Sequence, residues 1–317
     1  MSVSNGKEED IMLKYIVKRI LISIPLMIAV VLIVFLMLQV LPGNPVSVMM
    51  GEKANPAVIE RVTEEMGLNR PVLVRFCDYI VDALSGDLGT SYKLSRPISS
   101  LIAEAFPNTL KLAITSALVA WIIGIPAGIV SAIKKDTLLD RTLMGFSLVG
   151  ISLPVFWGAM LLQFIFGYTL GWLPISGYST PAHMILPAII LGWSSSGTIA
   201  RLTRSSLLGI MKNDYIRTAR AKGLIESMVV VKHGLKNAMI PVVTMMAMQF
   251  ASLLSGAVIT ESVFGIGGIG QLMVSAVNTR DMPLLQGSVI FSTMIIIIGN
   301  LVADILYSFL DPKIREQ

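Results

Sequence analysis

From Thr142 to Ala200 the chain carries no Asp, Glu, Lys or Arg, a run of 59 residues. About 20 apolar residues are enough to cross a bilayer as a helix. The run is too long for one crossing, so the chain must fold back inside it. GWLPISGYSTPAH at Gly171–His183 supplies the turn, with one span before it and a shorter one, Ala182–Thr198, after it. Four more uncharged runs are of span length: Ile20–Leu41, Leu112–Ile133, Asn237–Thr260 and Met282–Ala303. The reading is an all-α integral membrane protein with six transmembrane helices. Only 14% of residues are charged, well below the roughly 25% of soluble domains. The first run exceeds a signal-peptide core, and LPGNP rather than a cleavage site follows it, so it reads as an uncleaved anchor.

Lys and Arg set the orientation. With residues 1–19 inside, the inner segments hold 17 of these residues and the outer segments 8. Both termini, 1–19 and 312–317, and the basic segment 201–236 then face the cytosol. Residues 42–107 form an outer segment, residues 108–311 the core with five helices, and 261–283 an outer loop. In the outer segment, Asn55-Pro56 starts a helix that Gly67 ends. Pro71 opens a second, with Val72, Phe76, Tyr79, Ile80 and Ala83 at helical spacing and Gly86 closing it. The positive net charge is thus a membrane-surface feature, not a nucleic-acid one.

Two segments carry candidate function. In Arg201–Asn237, Asp214 caps a predicted helix over Tyr215–Lys222, and Gly223 takes the left-handed conformation that stops it. A second helix, Glu226–Lys236, leads into the fifth span. Small residues between the charges let another protein approach closely. The other segment is FGIGGIG at Phe264–Gly270, where Gly265, Gly267 and Gly270 match the G-x-G-x-x-G spacing of a dinucleotide loop. Its context contradicts that reading: a span precedes it, no strand does, and it falls on the outer side. The glycines, Gly268 included, are expected to turn the chain sharply at an outer gate or docking element, or simply as loop geometry, with Gln271–Asn278 as a short helix.

RTARAKGLIESMVVVKHGLKNAMIPVV resembles the EAA signature of ABC-importer permeases, in the form found in the peptide/nickel branch. The triplet falls on Arg217, Thr218 and Ala219 and the glycine on Gly223, and Ile240-Pro241 closes the motif. Arg217 and Thr218 depart from Glu-Ala, as is usual in this branch. MLKYIVKRILISIPLMIAVVLIVFLMLQVLPGNP, GLNRPVLVRFCDYIVDALSGDLGTSY and DPKI at Asp311–Ile314 are similar to the same branch. The resemblance implies the type I ABC importer permease fold, in a bacterial or archaeal plasma (inner) membrane. It implies a second, homologous permease subunit as a heterodimer partner, two cytosolic ATPase subunits and an extracytoplasmic substrate-binding protein. The ATPase-coupling residues would be Asp214, Tyr215, Arg217, Thr218, Ala219, Arg220, Ala221, Lys222, Gly223 and Leu224. The substrate would be a peptide, with nickel or a metal–opine chelate as alternatives.

No phosphate-binding G-x-x-x-x-G-K-[ST] run occurs, so ATP and Mg belong to the partner subunits and the chain itself holds no cofactor, metal site or catalytic residue. An intramembrane enzyme is disfavoured by the lack of H-E-x-x-H and G-x-S-x-G, and a secondary transporter by the lack of inverted repeats. Within the spans, Gln163, Gln249, Ser252, Ser255 and Asn300 either face a pathway or bond a neighbouring helix. Asp304 is the one acid expected near a span interior. Gly124, Pro126, Gly128, Pro154 and Pro187 are expected to kink helices or pack them closely.

Overall fold

The computed structural model describes residues 2–40, 56–65, 67 and 69–310. The LPGNP exit, Asn55, Met66 and Asp311–Ile314 lie outside the described residues. Helix α1 runs Ser2–Val40, followed by α2 (Pro56–Glu65) and α3 (Val72–Leu84). The bundle comprises α4 (Ile98–Ile133), α5 (Leu138–Ser152), α6 (Val155–Leu162) with a π-helical continuation over Gln163–Thr169, and α7 (Ile185–Ile210). Then come α8 (Asp214–Ala221), α9 (Glu226–Met228) with π-helical Val229–Leu235, and α10 (Lys236–Leu254). Finally α11 (Val258–Phe264), α12 (Ile269–Thr279) and α13 (Met282–Leu310) complete the chain. The described residues contain no β-strand.

Among the described residues, five helical runs are long and apolar enough to span a membrane, and two bent pairs qualify only when joined. The pair α5–α6 bends by 103°, and α11–α12 by 82°. The third expected span is therefore broken, at Leu153-Pro154, because Pro154 lacks the N–H that would continue the ladder and biases Leu153 to extended backbone. The fifth stops at Leu254. Gly256, with φ +110°, turns the chain, and Val258 starts a new helix, so the expected span to Thr260 is two elements. Two further boundaries move. Helix α4 begins at Ile98, inside the expected outer segment, and α7 continues to Ile210, ten residues into the expected cytosolic segment. In both cases a charged residue suggested an end, but backbone hydrogen bonding continues through it.

The bundle is organised around α4 and α7. Lipid tails are as apolar as leucine, so spanning helices associate through close packing rather than water exclusion. Gly124 and Gly128, one turn apart, provide it. An added Cβ at Gly124 would lie 2.8 Å from the Ser196 carbonyl oxygen, and one at Gly128 only 2.5 Å from that of Ala200. Gly192 and Gly197 of α7 make matching close approaches, to Val119 and to the Ser147 carbonyl. Of the two expected roles for these glycines, close packing is the one found, and α4 runs on through Pro107 and Pro126.

Helix α3 docks on α1 and α13. Phe76 and Tyr79 meet Phe35, with ring centroids 5.6 and 6.1 Å apart, and Val31 and Ile290 complete this small core. Val72 is exposed instead. Burial pushes the Tyr79 phenol up to about 12. The chain then turns at Ser91–Pro97 and is fixed to the far side of the sequence. Asp281 is fully buried and accepts hydrogen bonds from Ser91 Oγ at 2.5 Å and from the backbone N–H groups of Tyr92 and Lys93 at 3.2 Å each. It also caps α13 through Leu284 N–H.

Candidate functional site

Helix α8 projects from the end of the bundle between α7 and α9. Asn213, not Asp214, occupies the cap position, and Asp214 lies in the first turn, where its charge favours the helix dipole. The helix presents two faces. Ile216 and Ala219 are buried against Val229, Ile210, Met211 and Leu224. Asp214, Tyr215, Arg217, Thr218, Arg220, Ala221 and Lys222 are exposed, and Leu224 is half-buried. Ala219 thus packs inward and offers no surface to a partner, whereas Ala221 does. Gly223 has φ +78° and open space around it, so it stops the helix as expected.

Two side-chain contacts fix α8 to its surroundings, and a third ties its neighbours together. Asn237 Nδ2 donates to the Tyr215 hydroxyl at 3.0 Å, joining α8 to α10. Arg220 donates to both carboxylate oxygens of Glu226 at 3.0 and 2.6 Å, joining it to α9. Ser206 Oγ donates to the Ala238 carbonyl, tying α7 to α10. Helix α8 is thus bonded to the start of α9 and of α10.

At the opposite end, FGIGGIG joins α11 to α12 around a buried carboxylate. Glu261 is fully buried. It accepts from Thr109 Oγ1 at 2.8 Å and from Gln271 N–H at 3.1 Å, while Thr109 Oγ1 accepts from Ile269 N–H at 2.9 Å. The carboxylate of one helix thus caps the N-terminus of the next, a position that favours negative charge. The glycines make room for it. A Cβ at Gly268 would lie 2.5 Å from the Glu261 carboxyl carbon, and one at Gly270 would lie 2.9 Å from Glu261 Oε2. Gly265 supplies the left-handed turn at φ +61°, and Gly267 sits 3.3 Å from the Tyr178 ring by the same measure. Residues 261–283 are therefore a packed helical hairpin rather than a loop. Asp304 is not the one acid in the bundle, since Glu261 and Asp140 are both buried. Thr109 and Glu261 stand 152 residues apart, and no local signal pairs them.

With this geometry in view, the family described as "Binding-protein-dependent transport system inner membrane component" matches residues 124–316, and its N-terminal companion matches residues 12–113. The chain belongs to this family. The glutathione transport system permease protein GsiC of Salmonella choleraesuis (strain SC-B67) is 45% identical over 304 residues, covering 96% of this chain and 99% of the relative. GsiC of Escherichia coli (strain K12) is 44% identical over the same coverage. Two inward-facing structures of the MetNI methionine ABC transporter match the fold with TM-scores of 0.56 and 0.58, at 17% identity, covering 67% of this chain and 96% of theirs.

The protein is a multi-pass inner-membrane permease subunit of an ABC importer, with the type I importer fold. Within this permease most of the polar span residues expected near a pathway make structural bonds. Gln163 Nε2 donates to the carbonyls of Ile175 and Val263 at 2.8 and 3.0 Å, tying the π-helical segment to α11. Gln249 Nε2 donates to the Ser195 carbonyl at 3.3 Å. Ser255 Oγ bonds the Ser252 carbonyl, and Ser252 itself and Asn300 are exposed. Asp304 pairs with Arg19 at 2.9 Å, joining α13 to α1.

Among the described residues, two open grooves lie between spanning helices. One, of about 500 Å³, lies between α4, α10 and α13, and its walls, which include Trp121, Phe250 and Ile298, are apolar. The other, of about 760 Å³, lies between α5, α7 and α10 and includes Thr198, Arg201 and Ser205. Sequence reasoning used Arg201 only as a boundary marker.

Proposed function

We propose that this permease forms half of a peptide-conducting channel, paired with a homologous permease as a heterodimer. Two ATPase subunits dock on α8 and bind the ATP and Mg, and an extracytoplasmic binding protein delivers substrate to the hairpin end. The termini and α8 lie on the cytosolic side, in keeping with the distribution of Lys and Arg. Peptide as the substrate class is supported by the match of nearly the whole chain to glutathione permeases, since glutathione is a tripeptide.

The observation that carries the coupling role is the two-faced α8. Its buried face, Ile216 and Ala219, anchors it to the bundle, and its exposed face, with Tyr215 and Arg217, is left for a partner. A helix held in a partner's groove transmits rigid-body motion, and its ties to α9 and α10 carry that motion to the spans. The hairpin at Gly265–Gly270 closes the other end, as a gate or docking element.

The test is reconstitution of the full importer in proteoliposomes with its ATPases and binding protein. ATP-dependent uptake of a labelled tripeptide is expected, with no uptake of nickel salts or metal chelates. Gly223→Val should abolish uptake while the binding protein still captures substrate. Normal uptake by that variant would remove the coupling assignment, and metal uptake without peptide uptake would remove the substrate class.

A further inference from the structure

Helix α7 carries Ser194, Thr198, Arg201 and Ser205 at steps of four, three and four residues, which puts them on one face. All four are exposed or half-buried, whereas Gly197, Ile199, Ala200 and Thr203 between them are buried. The last three of the stripe form the polar side of the groove between α5, α7 and α10. Its other walls are Met144, Leu148 and Ile151 of α5 and Met245 of α10.

The depth of Arg201 follows from helix geometry. The 26 residues of α7 extend about 39 Å at 1.5 Å per residue. The hydrocarbon core is about 30 Å thick, so a centred α7 overshoots it by about 4–5 Å at each end. Arg201 is nine residues before Ile210, so in that centred, untilted placement it lies about 9 Å inside the core. A cation at that depth is costly unless it faces water or an anion.

Arg204, one turn away, has its anion. Its Nε and Nη2 both donate to Asp140, and it sits half-buried at the α8 end of the same groove. Arg201 has no acidic partner among the described residues and is exposed in the subunit. This groove, more polar than the one between α4, α10 and α13, therefore also holds a guanidinium with no acidic partner among the described residues.

We propose that Arg201, with Thr198 and Ser205, forms a transient binding site for a carboxylate of the transported solute on the α8 side of the pathway. The inference rests on the peptide reading above, since every unmodified peptide carries a terminal carboxylate. The guanidinium fork fits a carboxylate in bidentate geometry, and the hydroxyls of Thr198 and Ser205 line the approach. A solute anion entering this depth loses water, and a fixed cation offsets that loss. One fork without a second free cation keeps the site weak enough for the solute to leave.

The test uses the reconstituted full importer with a tripeptide bearing a free C-terminal carboxylate and the same tripeptide as its C-terminal amide. Uptake by each variant is taken relative to wild type for the same peptide, which cancels any preference of the binding protein. Arg201→Gln is expected to lower uptake of the acid on the order of tenfold and of the amide less than about twofold. Arg201→Lys should retain part of the acid uptake, and ATP hydrolysis stimulated by the binding protein should be unchanged in both. Equal losses for acid and amide, or collapse of ATP hydrolysis in both variants, would overturn the assignment while leaving the peptide reading intact. A wild-type importer that carries neither peptide removes the peptide reading, and this proposal with it. If the wild type carries the acid alone, binding of the acid to the importer in nanodiscs without binding protein decides. Loss in Arg201→Gln with retention in Arg201→Lys supports the site, and unchanged binding overturns it.

Discussion

Arg204 donates to both oxygens of Asp140, from Nε at 2.8 Å and from Nη2 at 2.7 Å, across 64 residues of sequence. Ser131 Oγ and the Asp136 N–H also donate to that carboxylate, so α4, α5 and α7 meet at one buried charge. The side chain of Asp140 is 5% exposed and that of Arg204 26%.

Removing one partner of such a pair leaves the other charge uncompensated. Asp140→Asn is expected to destabilise the subunit by about 3–5 kcal/mol, seen as a lower melting temperature in detergent. Asp140→Asn combined with Arg204→Met should recover part of that loss, because no unpaired charge is then left at the site and the amide oxygen of the introduced side chain can still accept from Ser131 and Asp136.

The other ion pair between spanning helices has the opposite character. Arg19 and Asp304 are 44% and 36% exposed in their side chains. Asp304→Asn is expected to change stability by no more than about 1 kcal/mol and to leave uptake unchanged. A large loss of uptake would return Asp304 to the pathway.

Glycine substitutions in the hairpin should be graded by what they meet. Gly268→Ala drives a methyl group into the Glu261 carboxyl and Thr109 Oγ1, at a cost of about 1–3 kcal/mol or more. Gly267→Ala meets only the edge of the Tyr178 ring and should be milder. Uptake and thermal stability measured together are expected to fall in that order; equal behaviour would show that the carboxylate is not what the glycines accommodate.

The two faces of α8 separate by substitution. Arg217→Glu, on the exposed face, should weaken ATPase association on the order of tenfold with the melting temperature unchanged. Ala219→Trp, on the buried face, should lower both. Co-purification of the ATPase subunits with the permease, alongside thermal unfolding, reads the difference.

The sequence made the spans legible because a membrane imposes long uncharged runs, and it made α8 legible because Gly223 stops it and apolar residues recur on one side. It did not make visible where spans break. Pro154 bends the chain by 103°, yet Pro126 lies inside the uninterrupted α4, and only neighbouring helices decide which proline becomes a corner. Charge misled at Lys111 and Arg201, which both lie inside helices taken to begin or end beside them. The buried roles of Glu261 and Asp281 depend on Thr109 and Ser91, partners more than 100 residues away, and no spacing rule reaches that far.

At Gly124 and Gly128 the backbone of α4 lies directly against the Ser196 and Ala200 carbonyls and the Ile199 and Thr203 side chains of α7, with no side chain of its own between. A side-chain layer from both helices is what lets them slide by exchanging rotamers. With half of that layer missing, α4 and α7 have little room to slide past each other, and the breaks at Leu153-Pro154 and at Gly256 are points where the chain turns between helices. If α8 couples to an ATPase as proposed, those two breaks are where rotation of one part of the subunit against another is expected.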